Sequence, residues 1–186
     1  MKLVLLGGPG AGKGTQADKL KQHFDVPHIS TGEVLRDARS AGTELGIKAG
    51  EFMDAGKLLP DDIILGIIDE KLGMPSMKNG FLFDGFPRTM VQAEGLDKML
   101  ESRGESLDAV VSIEVPDEVV TGRLLKRAEI EGRADDNSET IGNRIKIYYE
   151  QTEPLKNYYK DRGLLKSVDG LGNVEEIFER IKSVLG

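Results

Sequence analysis

Residues 3–15 read Leu-Val-Leu-Leu-Gly-Gly-Pro-Gly-Ala-Gly-Lys-Gly-Thr. The four aliphatic residues predict a short strand buried on both faces. Glycines at 7, 8, 10 and 12, with Pro9 among them, then lead to Lys13, after which the chain turns polar and helical. Gly7 and Gly12 enclose four residues and Lys13 follows at once, the G-x-x-x-x-G-K spacing of a phosphate-binding P-loop. Such a loop wraps a phosphate only if side chains leave its backbone N–H groups free to point inward. The helix behind it adds further unpaired N–H groups and the positive end of its dipole. Lys13 supplies a flexible point charge for the outer phosphates. The hydroxyl that usually follows the lysine is displaced by one position, Gly14 standing before Thr15. The strand before, the lysine in place and the helix after separate this stretch from a merely glycine-rich turn, and they predict a nucleoside triphosphate as one ligand.

The 186 residues suffice for one domain with a sizeable core and a small insert. A net charge of -7 argues against general binding to nucleic acid or to an anionic membrane, so any anion site must be a local cluster of basic residues. Cysteine is absent, which excludes a disulfide framework and a cysteine-based zinc site. The first apolar run ends after four residues, too short for a signal peptide or a membrane-spanning helix. A cytoplasmic protein is expected, and without an exposed apolar stripe, a monomer.

Short aliphatic runs alternate with longer helical ones, as a parallel α/β sheet requires. Strands are predicted at 2–6, 26–29, 80–84, 109–115 and 163–168, and the first helix at 13–24. Ser30 with Glu33 three residues on predicts a capped helix directly after the second strand. Asp136 with Glu139 gives the same signal before a long helix reaching about Tyr159. Ile63, Ile64, Ile67 and Ile68 place a helix at 61–72, Pro116 opens another, and the last spans 173–185. The stretch from 30 to 59 carries helical signals and no strand, broken by Gly42, Gly46, Gly50 and Gly56, and is read as a helical insert over the sheet edge. A polar loop at 131–137 joins two later helices.

Two further features carry chemistry. The strand ending in Asp84 places a carboxylate where a P-loop fold holds Mg2+, usually through water. Arg36, Arg88, Arg123, Arg127, Arg133 and Arg144 fall at element ends or around the 131–137 loop, in a chain that is acidic overall. Arginine forks suit phosphate oxygens and spread charge over a phosphoryl group in transfer. His23 and His28 pair with no serine or cysteine nucleophile and are read as structural. A phosphate acceptor needs no general base, since its second pKa near 6 leaves it anionic at pH 7. A site with many arginines and no base therefore points to phosphate-to-phosphate transfer.

The motifs at residues 7–16, Ser30-Thr-Gly-Glu-Val-Leu-Arg36, Gly56-Lys-Leu-Leu-Pro-Asp61, Phe83-Asp-Gly-Phe-Pro-Arg-Thr89 with Gln92, and Arg133-Ala-Asp-Asp136 with Arg144 resemble the adenylate kinase family, in order along the whole chain. The resemblance implies a five-stranded parallel sheet flanked by helices, with a nucleoside-monophosphate-binding insert at 30–59, a lid at 127–137 and the core at 1–29, 60–126 and 138–186. It implies the reaction ATP + AMP ⇌ 2 ADP with Mg2+ and without zinc. By the same resemblance Gly10, Ala11, Gly12, Lys13, Gly14 and Thr15 hold the ATP phosphates. Arg123 packs on the ATP adenine, and the Gly172 backbone carbonyl meets it. The AMP side draws on Thr31, Arg36, the 57–59 backbone (Lys57, Leu58, Leu59), Gly85, Phe86, Pro87, Arg88 and Gln92. Arg36 and Arg88 grip its phosphate and Gln92 its adenine. Lys13, Arg88, Arg127, Arg133 and Arg144 act in transfer, the last three closing on the phosphates of both nucleotides. Only five residues separate Arg127 from Arg133, so the lid is the short form, where other members carry a longer, strand-bearing one.

Neighbouring readings are a UMP/CMP kinase, a GTP-dependent switch and a dinucleotide-binding module. Thr31, Thr89 and Gln92 resemble the AMP form. No Asn-Lys-x-Asp guanine motif occurs, and Asp169-Gly-Leu-Gly172 lies too near the C-terminus to serve a switch. Gly12-Lys-Gly-Thr-Gln-Ala17 fits G-x-G-x-x-A too far beyond the strand end to mark a dinucleotide site.

Overall fold

The strand predicted from the opening residues is the centre of the sheet. In the computed structural model, which describes residues 1–132 and 136–186, five strands run parallel. They are β1 (Lys2–Leu6), β2 (His28–Ser30), β3 (Phe81–Asp84), β4 (Ala109–Glu114) and β5 (Leu165–Asp169). Their order is β2-β3-β1-β4-β5. Leu5 lies opposite Asp84 on one side and Val111 on the other, so the end of β3 is level with the start of the glycine loop. In open α/β sheets ligands bind outside the carboxyl ends of the strands, and those ends bring the loop and Asp84 together here.

The nine α-helices of the described residues are α1 (Lys13–Phe24), α2 (Thr31–Ser40), α3 (Glu44–Asp54), α4 (Asp61–Leu72), α5 (Met90–Glu101), α6 (Asp117–Glu131), α7 (Ser138–Ile147), α8 (Leu155–Asp161) and α9 (Val174–Leu185). Because strand side chains alternate between faces, β1 feeds two cores. Val4 and Leu6 join Phe81 and Phe83 with Ile64, Ile68, Leu96 and Tyr159 from α4, α5 and α8. Leu3 and Leu5 join Leu82 and Val111 with Ala17, Leu20, Ile177 and Ile181 from α1 and α9.

Several boundaries differ from the sequence expectation, each for a local reason. Pro27 has no N–H to give a ladder, so β2 begins at His28, although the Pro27 carbonyl still accepts from Leu82 N–H at 2.8 Å. The helix at 90–101 was not predicted; its signal was Thr89 with Gln92 three residues on, and Thr89 Oγ1 does accept from Gln92 N–H at 3.2 Å. Ser30 caps α2 as expected, accepting from Glu33 N–H. Asp136 does not cap α7. Asn137 does, accepting from Thr140 N–H at 3.0 Å, which frees Asp136 for another task.

The long helix predicted after Asp136 and reaching about Tyr159 is interrupted. Pro154 lacks an N–H and its ring crowds the carbonyl four residues back. The chain responds with a π-helical turn at Tyr148–Thr152, in which Glu153 N–H reaches five residues back to the Tyr148 carbonyl at 2.8 Å. Such turns recur at functional sites, and this one faces the P-loop.

The 30–59 stretch folds as α2 and α3, locked by a two-pronged Arg39–Asp54 pair at 2.7 and 2.9 Å. Its far end meets α7, where Thr140 Oγ1 donates to the Asp54 carbonyl at 3.3 Å and Asn143 Nδ2 to the Ala55 carbonyl at 3.4 Å.

Candidate functional site

The glycine loop needs its glycines for approach as well as for torsion. At Gly10, φ is +79°, and a Cβ there would lie 2.9 Å from Leu124 Cγ and 3.1 Å from the Val120 carbonyl of α6. The loop is therefore seated directly on α6. Behind it, α1 starts with no side-chain cap and no acidic residue in its first turn, so the positive end of the helix is left for an anion.

Lys13 is half-buried and donates from Nζ to the Gly7 and Gly8 carbonyls at 2.8 and 2.9 Å. Burial pushes its pKa down to about 8, opposed by the Asp84 carboxylate and assisted by the charges of Arg88, Arg144 and Arg127. In the folded chain the ammonium is thus held against its environment. The sign follows from linkage: between about pH 8 and the ordinary lysine value near 10.5 the unfolded chain binds the extra proton, so this group's contribution to stability rises with pH over that window. A bound phosphate reverses the preference by favouring the ammonium. Triphosphate affinity is expected to fall about tenfold per unit as pH rises above 8, with proton uptake on binding. Titration calorimetry in two buffers of different ionisation enthalpy measures that uptake, and Lys13→Met should abolish it.

A cavity of about 790 Å³ opens over the loop, within the range of small-ligand sites. Gly10, Gly12, Lys13, Gly14 and Thr15 line one end, with Arg123 and Arg127 of α6 above them. Thr31, Arg36, Lys57, Leu58, Leu59, Gly85, Pro87, Arg88 and Gln92 line the rest of it, with Thr31 Oγ1 donating to the Gly85 carbonyl at 2.8 Å. Asp84 and Arg144 lie on the wall between. The cavity thus joins residues predicted for two different nucleotides in one continuous space. Ala11 and Phe86 do not line it: both side chains are buried in the core, Phe86 packed edge-on against Phe83, which leaves only their backbones for a ligand. Gly172 also lies off the cavity wall. Arg133 lies outside the described residues.

Arg88 is tied at three points. Its Nε donates to the Gly85 carbonyl at 2.7 Å, its N–H to Gln92 Oε1 at 2.8 Å, and its carbonyl accepts from Thr152 Oγ1 at 2.8 Å. A Cβ on Gly85 (φ +76°) would fall 2.8 Å from Arg88 Nη2 and 2.9 Å from Thr31 Oγ1, so the close approach depends on glycine. Burial lowers the Arg88 pKa from its ordinary value, with the Asp84 carboxylate opposing and Arg36 reinforcing. Arg123 anchors to the Gly170 carbonyl at 3.1 Å, between the P-loop and the turn after β5.

Sequence reasoning missed two contributors. Asp136 is buried, and its carboxylate accepts from Arg127 Nε and Nη2 at 2.6 and 2.8 Å and from Arg144 Nη1 at 2.6 Å. One carboxylate therefore holds two cavity-lining arginines from different helices. The signal was the acid between two arginines, which the reading as a helix cap hid. The other is Thr152, whose hydroxyl fixes the Arg88 main chain and which the π-helical turn carries there.

Among the described residues no group of three or more His, Cys, Asp or Glu could hold a metal ion. Asp84 is a single carboxylate beside Gly14, a Cβ on which would lie 3.7 Å away, and Thr15 lines the same end of the cavity. That donor set suits Mg2+, which takes few protein oxygens and keeps waters and phosphate oxygens as its remaining ligands. His23 packs edge-on against Phe24 and Phe178, away from the cavity lining. No helix of the described residues is long and apolar enough to cross a membrane.

The family model for adenylate kinase matches residues 5–164. An adenylate kinase of Xanthomonas euvesicatoria pv. vesicatoria is 48% identical over 186 residues, covering all of both chains. One from Xanthomonas oryzae pv. oryzae is 47% identical over the same span. One from Thermus thermophilus is 50% identical over 184 residues, 99% of this chain and 96% of that one.

Proposed function

The chain belongs to the adenylate kinase family, and on that premise we propose that it transfers the terminal phosphoryl group of ATP to AMP, giving two ADP, with Mg2+ accompanying ATP. The observation that carries this reading is one continuous cavity lined both by the P-loop at the N-terminus of α1 and by Arg36 and Arg88. Two nucleotides seated from opposite ends would bring a terminal phosphoryl group and an acceptor phosphate together between Lys13, Arg88, Arg127 and Arg144.

The protein's part in such a transfer is positioning and charge. Backbone N–H groups of residues 10–15 hold the donor phosphates. Lys13 leaves the Gly7 and Gly8 carbonyls for the phosphoryl oxygens as negative charge shifts toward the acceptor. Arg88 and Arg36 fix the acceptor phosphate, whose oxygen is already anionic and needs no base. Arg127 and Arg144 approach from α6 and α7, with Arg133 expected beside them from the 127–137 lid. Asp84, with Thr15, would hold Mg2+, which when bound neutralises charge on the phosphates. The insert at 30–59 and the lid at 127–137 exclude water, which would otherwise compete for the phosphoryl group.

The test compares AMP, UMP, CMP and GMP as acceptors by ADP formation from ATP. AMP is expected to be the fastest, and ATP hydrolysis without acceptor should run far below the transfer rate. UMP faster than AMP would replace the assignment, and hydrolysis rivalling transfer would remove the water-excluding role of the lid.

A further inference from the structure

Gln92 is only 2% exposed, yet it forms part of the cavity wall. The two ends of its amide are held by groups that cannot exchange roles. Nε2 donates to Asp61 Oδ1 at 2.8 Å, while Oε1 accepts from the Arg88 backbone N–H at 2.8 Å. An ionised carboxylate only accepts and a main-chain N–H only donates. Turning the amide over would set oxygen against oxygen at one end and N–H against N–H at the other, leaving both buried pairs unsatisfied. Asp61 is itself fixed at the first turn of α4, because the same Oδ1 accepts from Thr89 Oγ1 at 2.9 Å. Thr89 in turn caps the helix that carries Gln92.

With those bonds made, the amide keeps one N–H and one oxygen lone pair. A 6-aminopurine presents the matching pair on its Watson–Crick edge, an exocyclic N–H donor beside the N1 acceptor. A 6-oxopurine presents the reverse, an oxygen beside an N1–H, and would need the amide turned over. We propose that Asp61 is a specificity-determining positioning residue: by locking the Gln92 amide in one orientation it makes the acceptor end accept 6-aminopurines and reject 6-oxopurines. Asp61 lies off the cavity wall, and the inference rests on Gln92 being the residue that meets the acceptor base.

IMP differs from AMP in carrying a 6-oxygen and an N1–H in place of the 6-amino group and the bare N1, so the experiment is kcat/KM for AMP and for IMP, with ATP as donor. It is run on the wild type, Asp61→Ala, Asp61→Ser and Asp61→Asn. The wild type should prefer AMP by on the order of 10³-fold. In Asp61→Ala that preference should fall by about tenfold or more, with kcat at saturating AMP within about threefold because the phosphate-holding arginines are unchanged. Asp61→Ser, too short to reach Gln92 but keeping a polar group in the first turn of α4, should behave alike and covers the case in which the alanine variant does not fold. Asp61→Asn keeps an oxygen where both donors end and should restore the wild-type preference. An unchanged AMP:IMP ratio in the alanine and serine variants, even with both efficiencies lowered together, overturns the proposal, since general damage to the site moves both acceptors alike. Loss of preference in Asp61→Asn as complete as in Asp61→Ala also overturns it. A wild type that phosphorylates neither acceptor would instead overturn the underlying reading of the site.

Discussion

Replacing Lys13 by Met is expected to lower kcat on the order of 10³-fold while the fold survives. The side chain is not a structural brace. It is half-buried, its pKa is pushed down to about 8, and its only hydrogen bonds among the described residues are to the Gly7 and Gly8 carbonyls. An ammonium held at that cost to the nucleotide-free protein is placed for a charge that arrives later. Thermal unfolding of the nucleotide-free variant should match or slightly exceed the wild type at pH 7, where the lysine carries its proton, because one cation is removed from a site already holding Arg88, Arg127 and Arg144. A variant with near-normal kcat would show that the loop is not where transfer occurs.

Arg88→Ala is expected to lower kcat/KM for AMP by about 10²- to 10³-fold while leaving ATP affinity within about threefold. The two main-chain bonds of Arg88, to Gln92 and from Thr152, do not involve its side chain and should persist in the alanine variant. The loss is therefore confined to the guanidinium and its charge. A second readout follows from the electrostatics: Arg88 is one of the charges that depress the Lys13 pKa, so its removal should move the pH midpoint of ATP binding above 8. An unchanged AMP efficiency, or ATP affinity lost to the same degree, would place Arg88 elsewhere in the mechanism.

The parts of this protein that were legible in its sequence are those where local chemistry and global fold demand the same residues. The run at 3–6 must be apolar for a strand buried on both faces, and Gly10 must be small for the loop to sit on α6. Asp84 could be read because a polar residue ending an apolar strand marks the exit of the sheet. The break at Tyr148–Thr152 escaped because the apolar periodicity continues across it and only Pro154 announces it. Asp136 escaped for a different reason. A carboxylate before a helix satisfies a local pattern, and the two arginines that claim it instead come from α6 and α7, in a contact that only the folded chain defines. The Gln92 amide was read for what it touches, whereas its orientation depends on Asp61, thirty-one positions away. Local spacing reaches side-chain identity; the direction a polar group faces is decided by tertiary neighbours.

The grip of Asp136 on Arg127 and Arg144 has a consequence for binding entropy. Long arginine side chains left loose in solvent lose rotational freedom when they clasp a ligand, on the order of 1 kcal/mol for each one immobilised. Here a buried carboxylate already holds both in the folded chain, Arg127 through the two-pronged geometry a phosphate also demands and Arg144 through Nη1. On the proposed reading of the site, Asp136 stands in for the anion, and a nucleotide would meet arginines whose disorder was removed before it arrived.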